Sequence, residues 1–139
     1  MKNLDDISVL TQFNDLRTVT TPELQRLSPA ALAYLGDGVY ELYVRSRYLL
    51  PQRSENYHSR VVAQVRAESQ ALQLAKILPS LTPKELDMVR RGRNAVKKCP
   101  KRLAPEIYQQ ATSLETLIGY LYLQDMNRLM ELFSKFDFS

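Results

Sequence analysis

Two carboxylates stand where carboxylates are costly. Asp37 sits inside the run Leu32-Ala33-Tyr34-Leu35-Gly36-Asp37-Gly38-Val39-Tyr40-Glu41-Leu42, flanked by glycines. An Asp lowers helix propensity, and each Gly costs about 1 kcal/mol against Ala in a helix interior. Glu115 lies in Ala111-Thr112-Ser113-Leu114-Glu115-Thr116-Leu117-Ile118-Gly119-Tyr120-Leu121, on the shoulder of an apolar stripe. Its helical neighbours are Tyr108, Ala111, Gly119 and Tyr122. A carboxylate so placed is partly desolvated and needs a partner. Gly36, Gly38 and Gly119 carry no side chain, so other groups can come close to them. If the two helices pack together, one reading is that Asp37 and Glu115 share a divalent cation. Mg²⁺ prefers such hard oxygen ligands and retains waters beside them. The other readings are that each acid pairs with an Arg, or that Glu115 is a rim residue.

A basic run supplies context. Between Arg90 and Arg102, 7 of the chain's 19 Lys and Arg residues fall in 13 positions with no acid among them. A local field of one sign points to a polyanion rather than a small substrate. The alternative is a solvated charged face. Guanidinium groups fit phosphate through their fork geometry, and Asn94 follows Arg90-Arg91-Gly92-Arg93 directly. A phosphodiester would bring metal-binding oxygens of its own, so two protein carboxylates would suffice. A carboxylate-held metal beside a phosphate-binding surface is the combination expected of a metal-dependent nuclease.

Other chemistry is sparse. His58 is the sole histidine, which excludes a His-rich metal site, and a surface or capping role is expected for it. Cys99 is the sole cysteine, which excludes an internal disulfide and a Cys-based metal site and fits a reducing compartment. The eight tyrosines fall mostly at core or half-buried helical spacing. There is no Gly-rich phosphate loop, serine-nucleophile motif or zinc motif. Residues 1–6 lack the basic start and apolar run of a secretory leader, and no apolar stretch approaches the ~20 residues that span a bilayer. A soluble cytoplasmic protein is expected.

The elements that must position these groups read as helices. With 139 residues, 45% of them apolar, the chain has the size and core of one domain. Residues 1–21 are expected to form an arm, and residues 22–139 a single domain. Thr21-Pro22-Glu23 and Ser28-Pro29 read as helix starts. The main helix should run from Pro29 to about Leu50, with Ala31, Leu32, Leu35, Val39, Leu42, Tyr43, Leu49 and Leu50 on its core face and Asp37 nearly opposite. It is apolar nearly all round, which implies a central position with an interface close by. A second long helix is expected over Tyr57–Leu78, with Val61, Val62, Val65, Ala71, Leu72, Leu74, Ala75 and Leu78 inward. Thr82, Pro83 and Glu85 form a capping box whose helix should fray near Gly92. A last long helix should run from Pro105 or Glu106 to Gln124, with a short one over Met126–Phe136. No strand pattern or repeat is present, so the fold class is all-α.

At this point the residues resemble the ribonuclease III endonuclease domain. Leu35-Gly36-Asp37-Gly38-Val39 is similar to the family's Leu-Gly-Asp-Ala-Val, and Glu115-Thr116-Leu117-Ile118-Gly119 to its Glu-Ala-Leu-Ile-Gly. Ser59 to Ala71 has the register of the intervening helix. Arg90-Arg91-Gly92-Arg93-Asn94-Ala95 and Leu117-Ile118-Gly119-Tyr120-Leu121-Tyr122-Leu123 look, more narrowly, like the compact Mini-ribonuclease III subfamily, which has no double-stranded-RNA-binding domain. Two acids that the larger family places upstream of its Gly-Asp fall here on Ala30 and Ala33. The acid three residues before the second-helix Glu falls on Thr112.

The resemblance implies a helical bundle acting as a homodimer, with two sites along a basic groove for double-stranded RNA, which is read largely by backbone shape and 2′-hydroxyls. Asp37 and Glu115 would be the catalytic and Mg²⁺-holding residues, with Asp37 placing the water. Arg90, Arg91, Arg93, Asn94, Lys97 and Lys98 would contact RNA. Cleavage would leave 5′-phosphate and 3′-hydroxyl ends, and the usual task is trimming the ends of large-subunit (23S) ribosomal RNA precursors, with a ribosomal protein as a possible shaper of the substrate. A non-catalytic RNA-binding scaffold of the same fold is the alternative. A third reading is a helical dimerisation module with a solvated basic face.

Overall fold

The computed structural model describes residues 12–13, 15–50 and 54–138, with the side chains of residues 54 and 55 left aside. Seven α-helices follow a helical stretch that includes residues 15–17: α1 (Thr21–Arg26), α2 (Pro29–Arg47), α3 (Ser54–Val65), α4 (Ala67–Ile77), α5 (Pro83–Ala95), α6 (Pro105–Gln124) and α7 (Met126–Phe133). A 3₁₀ turn, Leu78–Ser80, joins α4 to the segment before α5. No strand is present among the described residues, and the all-α expectation holds. None of their helices is long and apolar enough to cross a membrane. Of the expected arm, residues 1–11 and 14 lie outside the described residues; Arg17 sets its guanidinium 5.1 Å from the Tyr122 ring centre.

Local chemistry starts the helices. Ser28 caps α2, accepting from Ala31 N–H, with Pro29 in the first turn. Thr82 and Glu85 close the expected capping box on α5. At α1 the box is formed by Thr20 with Glu23, one residue earlier than the Thr21 start. Asp125 caps α7 by accepting from Arg128 N–H.

Helices α2 and α6 make the most extensive pairing in the fold. Gly36 and Gly119 make it possible. A Cβ built on Gly36 would lie 1.8 Å from the Glu115 carbonyl oxygen, and one on Gly119 would lie 2.0 Å from that of Leu32. The backbones therefore touch. This crossing decides which side of α2 is the core: Leu32, Ala33, Gly36, Tyr40 and Val44 are buried. The expected core face is corrected accordingly. Ala31, Leu42, Leu49 and Leu50 are exposed, Leu42 by 66%. On a helix apolar nearly all round, periodicity does not choose the inward side; backbone proximity does.

Two other expectations fail for physical reasons. The second long helix is broken at Arg66, whose backbone is extended (φ −72°, ψ 158°). No Gly or Pro marks the break. Instead the Gln70 side-chain amide donates to the Val65 carbonyl (2.8 Å), and Ser69 donates to Gln64 Oε1 (2.6 Å). The phase shift leaves Val62, Leu72, Ala75 and Leu78 exposed and buries Gln70 and Gln73. Helix α5 does not fray at Gly92, which is buried because a Cβ there would meet Thr116 Oγ1 at 2.5 Å. The helix continues past α6 to Ala95.

Most tyrosines pack as expected. Tyr40 donates to the Gln64 carbonyl (2.9 Å), and Tyr48 to that of Phe138 (2.9 Å). Tyr43 stacks on Phe133 with ring centres 4.1 Å apart. Gln73 and Asp137 exchange two hydrogen bonds, Gln73 Nε2 to the Asp137 carbonyl (2.6 Å) and Asp137 N–H to Gln73 Oε1 (3.0 Å). Glu85 is buried and paired with Arg128 through two contacts of 2.9 and 3.0 Å.

The two helix glycines should therefore respond oppositely to alanine. Gly36→Ala drives a methyl into backbone, and we expect a loss of about 3 kcal/mol or more, a melting point lower by roughly 10 °C. Gly38→Ala meets nothing within 4 Å and should gain up to about 1 kcal/mol from helix propensity. Thermal melts of the two variants check this; equal melting points would contradict the backbone crossing.

Candidate active site

Asp37 follows the contact glycine of α2, and Glu115 contributes the backbone carbonyl that Gly36 approaches. The helix crossing thus carries both acids to one place. They line a recess of about 350 Å³ together with Ala30, Ala33, Tyr34, Ala95, Val96, Lys97, Lys98, Tyr108 and Thr112. Asp37 is exposed at its mouth and Glu115 is half-buried. The carboxyl of Glu115 titrates far above the usual range, at about 9, because burial disfavours its charge, a hydrogen bond joins it to Asp37, and the charge of Asp37 repels a second anion. Among the described residues neither acid is paired with an Arg, the alternative that spacing left open.

The basic residues separate. Lys97 and Lys98, carried past the end of α5, border the acid recess. Arg93 and Asn94 are exposed on the last turn of α5. Arg90 pairs with Asp87 and lies with Pro83 and Leu86 on a different surface. Arg91 sets Nη1 3.7 Å from Met88 Sδ and borders a small recess with Lys84, Tyr120 and Gln124. The run of like charge is therefore spread around α5 and past its end, and two of its three lysines, Lys97 and Lys98, line the recess that holds the acids. His58 is exposed on α3, on the surface as expected.

Tyr34, Tyr108 and Thr112 belong to the recess and were not singled out for chemistry. Tyr34 is 86% exposed, against the packing role expected of tyrosines in general. The signal was available in the register: Tyr34 lies three residues before Asp37, and Tyr108 and Thr112 lie seven and three before Glu115.

The recess fits a hard divalent cation. Two carboxylates close enough to share a proton offer oxygen donors to a cation that replaces that proton. Among the described residues no cluster of three or more His, Cys, Asp or Glu forms a fuller metal site. Asp37 and Glu115 would hold the ion, and solvent or substrate would complete its coordination.

The sequence model described as the Ribonuclease III domain matches residues 30–126. The chain belongs to the ribonuclease III family, in its Mini-ribonuclease III branch. It is 55% identical to the Mini-ribonuclease 3 of Synechocystis sp. over 88% of this chain and 92% of that one. It is 56% identical to the Mini-ribonuclease 3 of Synechococcus sp. over 84% and 85% of the two chains. An X-ray crystal structure of a Fusobacterium nucleatum protein superposes with a TM-score of 0.72 at 30% identity, covering 78% of this chain and 91% of that one. Against the larger ribonuclease III pattern, the three positions that lack acids, Ala30, Ala33 and Thr112, all line the recess.

Because the folded state binds the Glu115 proton more tightly than the unfolded chain does, this group's contribution to stability is full below pH 4.5 and lost as pH rises toward about 9. In chelator, the protein should lose melting temperature over that window, and Glu115→Gln should flatten the loss and melt higher at pH 8. Melts of both proteins between pH 4.5 and 9 test this; identical pH profiles would contradict it.

Proposed function

We propose that the protein is a Mg²⁺-dependent endoribonuclease that cleaves double-stranded RNA to 5′-phosphate and 3′-hydroxyl ends. It would mature the ends of large-subunit (23S) ribosomal RNA precursors as a cytoplasmic homodimer, on RNA shaped by a ribosomal protein, with residues 22–139 as its catalytic domain. The observation that carries the nuclease reading is the Asp37–Glu115 carboxyl pair in a recess bordered by Lys97 and Lys98. Family membership supports it, and the relatives bear the name Mini-ribonuclease 3.

Each residue has a part that follows from its position. Asp37 and Glu115 would hold the metal, which when bound supplies Lewis-acid stabilisation and a more acidic water. Asp37, at the mouth, orients the attacking water; Glu115, deeper and held by the glycine crossing, fixes the inner side of the pair. Lys97 and Lys98 draw in the scissile phosphate as point charges. Attack of water at phosphorus forms the new P–O bond and breaks the bond to the 3′ oxygen. The water gives up a proton to solvent, the 3′ oxygen takes one and leaves as the 3′-hydroxyl, and the phosphate stays on the 5′ oxygen. Arg93 and Asn94, exposed nearby on α5, extend the RNA-contacting surface, with Arg90 and Arg91 further round the helix.

An apolar groove supports the homodimer reading. Leu35, Val39, Leu42 and Tyr43 of α2 face Met126, Met130 and Phe133 of α7 across a recess of about 310 Å³. A contiguous exposed apolar face of this kind marks an interaction surface, and a second copy of the chain would cover it.

Purified protein should cut duplex RNA with Mg²⁺, and Asp37→Asn should lower the rate by on the order of 100-fold or more, as for other groups acting on the transition state. Equal cleavage by both proteins would sink the assignment of Asp37. Duplex binding without metal-dependent cleavage would favour the RNA-binding scaffold instead. In sedimentation, the wild type should run as a dimer and Leu42→Asp as a monomer; a monomeric wild type would overturn the homodimer.

A further inference from the structure

One hydroxyl on α6 behaves unlike its neighbours. Ser113 donates to the Gln109 carbonyl (2.8 Å), and Thr116 donates to the Thr112 carbonyl (2.8 Å). Both satisfy themselves on the preceding turn, as helical Ser and Thr do when nothing else is in reach. The Thr112 hydroxyl makes no such bond among the described residues; Thr112 is half-buried, and its hydroxyl is not sealed off but opens into the recess. It lines the acid recess, three residues before Glu115, which is about 4.5 Å along the helix axis.

The surroundings limit what that hydroxyl can serve. The charged roles in the recess are already filled, by Asp37 and Glu115 for a cation and by Lys97 and Lys98 for phosphate. Ala30 and Ala33 contribute only apolar surface and offer Thr112 no side-chain hydrogen bond. A hydroxyl is neutral and both donates and accepts. The group on an RNA backbone with the same properties, lying beside the phosphate, is the ribose 2′-hydroxyl, which duplex RNA displays in its wide minor groove.

We propose that Thr112 contacts the 2′-hydroxyl of a nucleotide flanking the cut, so that the wall of the recess that lacks acids distinguishes RNA from DNA. This rests on the nuclease reading of the recess. Thr112 is a specificity residue here and takes no part in bond breaking.

The test is a coupling measurement. Cleavage kcat/KM is read for wild type, Thr112→Val and Thr112→Ser on one RNA duplex and on copies with single 2′-deoxy substitutions at each nucleotide around the cut. At one position the wild type should lose roughly 3- to 10-fold on removal of the 2′-hydroxyl, the equivalent of one hydrogen bond. Thr112→Val should lose as much on the all-RNA duplex and be indifferent to deoxy substitution at that position. Thr112→Ser, which keeps the hydroxyl, should restore the discrimination. Metal-free binding to the same duplex with one strand fully RNA or fully 2′-deoxy is the second readout, where Thr112→Val should lose the preference that wild type shows. If Thr112→Val is as sensitive to every 2′-deoxy substitution as wild type, the proposal is overturned. If the wild type cuts no duplex at all, the nuclease reading fails, and the binding arm still decides whether Thr112 senses ribose.

Discussion

The molecule depends on one close approach, backbone against backbone where α2 crosses α6. Gly36 and Gly119 leave no room for even a methyl group. Interiors packed to crystal density convert such a contact into a fixed distance. The consequences run outward from it. It turns Leu32, Tyr40 and Val44 inward, leaves Leu42 outside, and brings Asp37 and Glu115 to one recess. A third glycine, Gly92, makes room on α5 for the Thr116 side chain of α6, and Lys97 and Lys98, past the end of α5, line the same recess. The site is thus set by where side chains are missing as much as by where acids are present.

Two desolvated glutamates show how the chain separates structure from chemistry. Glu85 receives Arg128, and its carboxyl is held below the usual range, chiefly by that hydrogen bond. Glu115 has no paired cation among the described residues, and burial and Asp37 push its carboxyl upward. The first arrangement lowers the energy of the fold by itself. The second leaves a carboxyl that favours its proton, a perturbation of the kind that clusters at functional sites. Arg128 also reaches the Ser80 carbonyl (2.7 Å), so the structural pair ties α7 to the segment before α5.

Much of this was legible in the residues. Caps announced α2 and α5, prolines marked their first turns, and the run from Pro105 to Gln124 kept one period to its end. Asp37 and Glu115 were conspicuous because a helix interior has no local reason to hold them. What was not legible depended on tertiary contacts. The break at Arg66 has no Gly or Pro; it is held by Gln64, Ser69 and Gln70, whose side chains act only once the chain has turned. The inward face of α2 was ambiguous because both faces are apolar. Gly92 looked like a helix end and is a packing site, a difference that only Thr116 on another helix decides. Tyr34 followed the usual expectation for an aromatic residue and proved to be exposed beside the acids.

The bonds that Gln73 and Tyr48 make to the residues after α7 bear on the order of folding. They join positions 64 and 90 residues apart. Closing loops that long costs entropy before any contact rewards it, though each doubling of length adds only about 0.6 kcal/mol. The helical pairs nearer in sequence can form first, and contacts of such separation come late in folding. Asp137 and Phe138 act as a latch that ties the segment after α7 to the end of α2 and to α4. The glycine crossing, Gly36 against Glu115 and Gly119 against Leu32, closes a loop of comparable length, so the recess takes shape in the same late, non-local stage as the latch.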